Sequence, residues 1–155
     1  MRAARFIPAR FIAAGFGTGY APFAPGTVAS AAATLTGAGL LLLSPWALAL
    51  AALLATIGGY LAVKRTVIEG DPGWVVIDEF AGQWITLLAL TRPTMLGLIA
   101  AFLLFRLFDI TKLGPVGWAD RQHGAFGIMA DDVIAGVIAA VLLGVLRLLH
   151  PEWLM

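Results

Sequence analysis

Five apolar segments follow one another along this chain, and each is closed by proline or by charge. Thr27–Leu43 ends at Ser44-Pro45, Trp46–Val63 at Lys64-Arg65, and Val75–Leu90 at Arg92-Pro93. Thr94–Phe108 runs into a charged stretch, and Asp132–Leu149 ends at His150-Pro151. Apolar runs this long, rich in Ala, Leu and Gly, favour helices over strands. Proline cannot continue the helical hydrogen-bond ladder, so the breaks are real boundaries. A complete membrane span wants about 20 residues, with a range of roughly 17–25. Each segment alone is therefore ambiguous between a span and the core helix of a soluble bundle. Composition decides between them. The chain is 61% hydrophobic and 12% charged, whereas a soluble domain carries about 25% charged residues. Too little polar surface remains to coat a soluble bundle. The expectation is an all-α, compact helical bundle embedded in a membrane, with about five apolar helices in a single domain over residues 1–155.

The ends and the overall charge remove several classes of function. A formal charge of +1 with no run of basic residues argues against nucleic acid as a partner, because phosphate-backbone binding needs a concentrated basic patch. The absence of cysteine excludes disulfides, thiolate metal sites and a cysteine nucleophile. Arg2, Arg5 and Arg10 resemble the positive region of a signal peptide. Gly15, Gly17, Gly19 and the nearby prolines leave no apolar core for one, so the segment reads as retained. Phe6–Ala14 reads as a short helix or interfacial segment, and the Gly/Pro-rich stretch from Gly15 to Thr27 as a loop. Gly15-Phe16-Gly17 is not a dinucleotide fingerprint: the third glycine is misplaced and no strand precedes it.

Alternate crossing of the five segments puts the N-terminus, the Lys64–Asp78 connection and the Asp109–Asp131 connection on one face. That face collects Arg2, Arg5, Arg10, Lys64, Arg65, Arg106, Lys112 and Arg121, leaving Arg92 and Arg147 opposite. Positive charge marks the cytoplasmic side, which puts Met1 inside and the two ends on opposite sides. Every acid except Glu152 falls on the same face.

The converging acids include two adjacent pairs, Asp78-Glu79 and Asp131-Asp132, together with Asp109. Carboxylates at the mouths of neighbouring helices repel unless a cation bridges them. Oxygen donors without cysteine suit a hard ion such as Mg²⁺, which takes one or two carboxylates, waters and a substrate phosphate. Helix capping explains any one acid but does not call for adjacent pairs. Arg106 and Asp109 stand three apart, share a helix face and can pair. Lys112 is placed to meet an anion. Thr27 and Ser30 can donate to phosphate or cap a helix, and His123 reads as a solvated loop histidine.

The ordered set APFAPGTVAS, VVIDEFAGQW, FRLFDITK and GAFGIMADDVIAG resembles the bacterial phosphatidylglycerophosphatase A family, over roughly Gly15 to Gly136. The resemblance implies a Mg²⁺-dependent lipid phosphatase of phospholipid biosynthesis. It would convert phosphatidylglycerophosphate to phosphatidylglycerol and phosphate on the cytoplasmic face of the bacterial inner membrane. Asp78, Glu79, Asp109, Asp131 and Asp132 would then form the catalytic metal site, with Thr27, Ser30, Arg106 and Lys112 holding the phosphate. Either water or an aspartyl side chain can serve as nucleophile in such a site. Other phosphatase arrangements fit less well, since no D-x-D motif is present and His123 and His150 fall on opposite faces. The competing class is a small non-enzymatic membrane protein, an ion carrier or structural subunit with an acidic cytoplasmic cluster. An ion path wants ionisable residues inside the spans, and Ala47–Val63 and Val133–Leu146 carry none.

Overall fold

The computed structural model describes residues 3–67 and 70–150, with side chains described from Pro8 onward. Met1, Arg2, Glu69 and Glu152, which the charge-placement reasoning used, lie outside the described residues, and so does the side on which Met1 falls. The elements in chain order are α1 (Ala3–Ala13), a 3-10 helix (Gly15–Tyr20), α2 (Pro25–Leu43) and α3 (Pro45–Thr66). They continue with α4 (Ile77–Leu87), α5 (Met95–Thr111), α6 (Pro115–Asp120) and α7 (Gly124–Leu149). No strand occurs among the described residues, and the architecture is the expected all-α bundle.

Local chemistry explains most boundaries. Pro25, Pro45 and Pro115 open α2, α3 and α6, where the missing N–H would have no helical partner anyway. The Ser44 hydroxyl accepts from the Trp46 amide at 3.1 Å and the Thr94 hydroxyl from the Gly97 amide at 3.2 Å, capping α3 and α5.

Three boundaries differ from the sequence reading. Gly15–Tyr20 is a 3-10 helix rather than open loop, and its Gly15 and Gly19 serve close packing. A Cβ on Gly19 would lie 2.0 Å from the Trp74 carbonyl oxygen. Second, α6 fills part of the connection expected after Asp109, which itself lies in the last turn of α5. Third, α7 begins at Gly124 rather than Asp132, so Asp131 and Asp132 stand two turns inside a helix and not at its mouth. Nothing in Gly124–Ala130 forbids a helix. Gly127 is a site of close approach, its absent Cβ lying 2.1 Å from the Gln122 carbonyl oxygen.

Helices α2, α3 and α7 are long and apolar enough to cross a membrane. With 11 residues α4 is too short. Large apolar side chains such as Leu35, Leu42, Leu43, Leu54, Leu103, Val141 and Leu148 are exposed on the outside of the bundle, as a lipid-facing surface requires. The short α4 is instead the central post, packed against α7, α3, α2 and α5. Nine of its residues, from Ile77 to Leu87, are buried.

The crossing of α4 and α7 sets the register of everything above it. A Cβ on Gly136 would meet the Gly82 carbonyl oxygen at 2.4 Å, and one on Gly82 would meet the Phe105 ring at 2.4 Å and the Asp132 carbonyl oxygen at 2.5 Å. Small residues let the two backbones touch. Thr86 stitches the contact by donating to the carbonyls of Gly82 (2.9 Å) and Gly136 (3.3 Å).

A carboxylate and guanidinium cluster at one end of the bundle

One helical turn from that crossing lie the acids. Asp78 precedes Gly82 by four residues, Asp132 precedes Gly136 by four, and Asp109 follows Phe105 by four. Residues four apart share a helix face, so the Gly82–Phe105–Gly136 layer carries Asp78, Asp109 and Asp132 above it. All three are buried, as is Asp131.

The five acids separate into two groups. Asp78, Glu79 and Asp132 each offer a carboxylate oxygen, and these oxygens lie within 4.8 Å of one another. Asp109 and Asp131 are instead engaged by cations. Arg106 pairs with Asp109, as their spacing led one to expect. The Lys112 ammonium lies 3.1 Å from Asp109, 2.5 Å from Asp131 and 3.6 Å from Asp120. Among the described residues no ion pair reaches Asp78, Glu79 or Asp132. Glu79 Oε2 and Asp132 Oδ2 are buried without a hydrogen-bond partner.

Electrostatics follow from this division. Burial, then the neighbouring Glu79 and Asp132 carboxylates, raise Asp78 well above the ordinary carboxylate range. Burial also raises Glu79. Burial by itself would lower Lys112, but its hydrogen bond to Asp131 and the surrounding carboxylates outweigh it and push the ammonium upward. Three crowded carboxylates with two orphaned oxygens and only oxygen donors are the chemistry of a hard-cation site. A cation among them would offset their repulsion and satisfy both orphaned atoms.

The residues expected to hold phosphate lie beside this triad. Arg106 points one amine at the Ser30 hydroxyl (3.5 Å) and the other at the Thr27 hydroxyl (3.4 Å). Ser30 is buried and donates to the Gly26 carbonyl at 2.8 Å, whereas Thr27 is exposed. Both sit in the first two turns of α2, whose N-terminus favours anions. Glu79 closes the other side, since a Cβ on Gly26 would fall 2.3 Å from Glu79 Oε1. Lys112 lies on the far side of Asp109, within the carboxylates, and its charge is spent there.

A cavity of about 420 Å³ opens next to Asp131, lined by Asp71, Asp120, Gln122, His123, Gly127 and Ile128 among others. His123 is exposed ahead of α7, as a solvated histidine should be. Two participants had no role in the sequence reading. Asp120 completes the Lys112 network, and its signal was its place in the charge-dense stretch between Phe105 and Gly136. Gln83 is fully buried on α4, and its signal was an amide four residues beyond Glu79 in an otherwise apolar run.

Comparison with known proteins places these motifs in context. Residues 11–147 match the family model described as phosphatidylglycerophosphatase A. A protein of Escherichia coli (strain K12) named phosphatidylglycerophosphatase A is 41% identical over 151 residues, covering 94% of this chain and 86% of that protein. A Haemophilus influenzae protein of the same name is 41% identical over 139 residues, covering 86% of this chain and 85% of its own length. A Bacteroides thetaiotaomicron protein with the provisional name phosphatidylinositol-3-phosphatase is 38% identical over 156 residues, with 95% and 98% covered. No solved structure matches the chain.

Proposed function

The chain belongs to the phosphatidylglycerophosphatase A family, and on that premise we propose that this phosphatase hydrolyses phosphatidylglycerophosphate to phosphatidylglycerol and phosphate, using Mg²⁺ held by Asp78, Glu79 and Asp132. The carboxylate triad carries the reading: buried Asp78 and Asp132 and half-buried Glu79 converge within 4.8 Å, and two of their oxygens have no protein partner. An ion carrier has no use for such a triad beside a guanidinium and two hydroxyls at the N-terminus of a helix. A phosphoryl group does.

In the reaction an oxygen nucleophile forms a new P–O bond as the P–O bond to the headgroup glycerol breaks. The departing alkoxide takes up a proton, so that ester and water give alcohol and hydrogen phosphate. Positioning and charge stabilisation supply most of the catalysis in such transfers. Arg106 and Thr27 hold the phosphoryl oxygens at the N-terminal end of α2, and Ser30 steadies Arg106 by accepting from it. Asp109 orients Arg106 through their ion pair, and Lys112 fixes Asp109 relative to Asp131. Bound Mg²⁺ would supply Lewis-acid stabilisation of the charge on the phosphoryl oxygens. The apolar exterior of the bundle keeps the protein in the bilayer. We assign the site to the cytoplasmic face of the inner membrane, because the described basic residues near it outnumber those at the opposite end.

The name carried by the Bacteroides relative favours a second substrate, a phosphoinositide, and one assay separates the two. Detergent-purified protein is given phosphatidylglycerophosphate or phosphatidylinositol 3-phosphate in separate reactions, and released phosphate is measured. Release from the glycerol lipid in preference is expected. Preferential release from the inositol lipid transfers the assignment, and release from neither sinks it.

A further inference from the structure

Every buried polar side chain on the deeper part of α4 has a protein partner except one. The Trp84 indole donates to the Ala33 carbonyl at 2.9 Å, and Thr86 donates to Gly82 and Gly136. Gln83, between them, is 0% exposed, and neither its amide oxygen nor its amide nitrogen has a partner. Burying an amide with both its donor and its acceptor unpaired is destabilising. A methionine would fill the same space without that cost, so packing does not account for an amide here.

The position supplies the reason. Gln83 is four residues past Glu79 and therefore on its face of α4, about 6 Å further from the mouth of the site. Long side chains on a helix lean back toward its N-terminus, which is the direction of Glu79 from Gln83. The other buried atoms without partners, among the described residues, are Glu79 Oε2, Arg106 Nε and Asp132 Oδ2. This set mixes acceptors with donors. A cation satisfies only the oxygens, and a phosphate dianion accepts hydrogen bonds without giving any. Water does both, as does the amide that faces it.

We propose that Gln83 is a positioning residue that holds the attacking water on the inner side of the phosphoryl group, its amide oxygen accepting a hydrogen bond from that water. The inference rests on the phosphatase reading above and chooses water over an aspartyl nucleophile. In-line displacement places nucleophile and leaving group on opposite sides of phosphorus. The headgroup must leave toward the open end of the bundle, so the nucleophile enters from the deeper side, where Gln83 lies. The water oxygen forms the new P–O bond and the bond to the glycerol oxygen breaks. One water proton passes to a carboxylate of the cluster and the glycerol oxygen ends protonated.

Gln83→Met, of similar volume and without the amide, tests this in the full-length, detergent-purified protein. Its kcat is expected to fall about 10²-fold with KM unchanged, while its thermal midpoint holds or rises. The shift of that midpoint on adding inorganic phosphate should equal the parent's, because the phosphoryl contacts are intact. Undiminished kcat would overturn the proposal, and so would loss of the phosphate-induced shift, which would put Gln83 on the phosphoryl group. If Gln83→Met does not fold, Gln83→Asn decides, since it keeps the amide but withdraws it by one methylene. A folded Gln83→Asn protein with undiminished kcat overturns the proposal equally. Failure of the phosphatase reading itself would show separately, as a parent protein that releases no phosphate.

Discussion

Substituting Gly136 by alanine tests whether the α4–α7 crossing sets the catalytic register. The added Cβ would sit 2.4 Å from the Gly82 carbonyl oxygen and 2.8 Å from the Gly82 Cα, where ordinary contact begins near 3.4 Å. Both obstacles are backbone and cannot rotate away, so the helices must part by about 1 Å at this level. Overpacking of that kind costs about 1–3 kcal/mol, which a thermal melt in detergent would record as a lower midpoint. The larger consequence is one turn away, where Asp78 and Asp132 move apart with their helices. A misplacement of about 1 Å costs on the order of 10²-fold in rate. Phosphate release from phosphatidylglycerophosphate should fall by that factor, and half-maximal activity should need more Mg²⁺. Gly144→Ala on the same helix is the control: its Cβ would meet nothing within 4 Å, and activity should be unchanged. A Gly136→Ala protein with the parent's turnover, Mg²⁺ requirement and melting behaviour would refute the register argument.

Other perturbations reach different parts of the account. Asp78→Asn, Glu79→Gln and Asp132→Asn, which keep shape and remove charge, should each lower turnover at least about tenfold, equivalent to roughly 1.4 kcal/mol of barrier. Circular dichroism should show each still helical. Lys112→Met should leave Asp131 without a cation and Asp109 with Arg106 alone, lowering both the melting midpoint and turnover; a variant as active and stable as the parent would remove Lys112 from the site. Arg147 donates to the Ala89 carbonyl at 2.7 Å, far from the acids. Arg147→Met should therefore lower the melting midpoint, by at most about 1.5–3 kcal/mol of stability, and leave KM and kcat alone. The exposed apolar exterior predicts that membranes release the protein to detergent and not to carbonate or high salt; a monodisperse sample in plain buffer would contradict it.

What the sequence disclosed and what it concealed divide along physical lines. Helix punctuation by Pro45 and Ser44 and the Arg106–Asp109 pairing are local effects, and local spacing reveals them. The gathering of acids at one end follows from the alternation of apolar segments. The division of those acids into a free triad and a cation-bound pair does not, because it depends on how far Lys112 reaches across to α7. Asp131-Asp132 looked like the start of a helix because apolar residues follow it, yet α7 extends eight residues further back. Buried acids inside a helix are tolerated only where neighbours receive them, and the neighbours come from α4 and α5. Gly82 and Gly136 read as ordinary small residues in apolar runs, since a close crossing is a property of two helices together. Gln83 was silent for the same reason: an amide becomes conspicuous only once its surroundings are known to offer no partner.

The central claim is that Asp78, Glu79 and Asp132 hold the ion on which phosphate release depends. The direct measurement is a Mg²⁺ titration of phosphate release from phosphatidylglycerophosphate, using EDTA-treated parent protein and Asp132→Asn side by side. The account predicts no release in EDTA, saturable recovery of the parent as Mg²⁺ is restored, and a curve for Asp132→Asn displaced to higher Mg²⁺ with a lower plateau. Full turnover of the parent in EDTA, or superimposable curves for the two proteins, would contradict it.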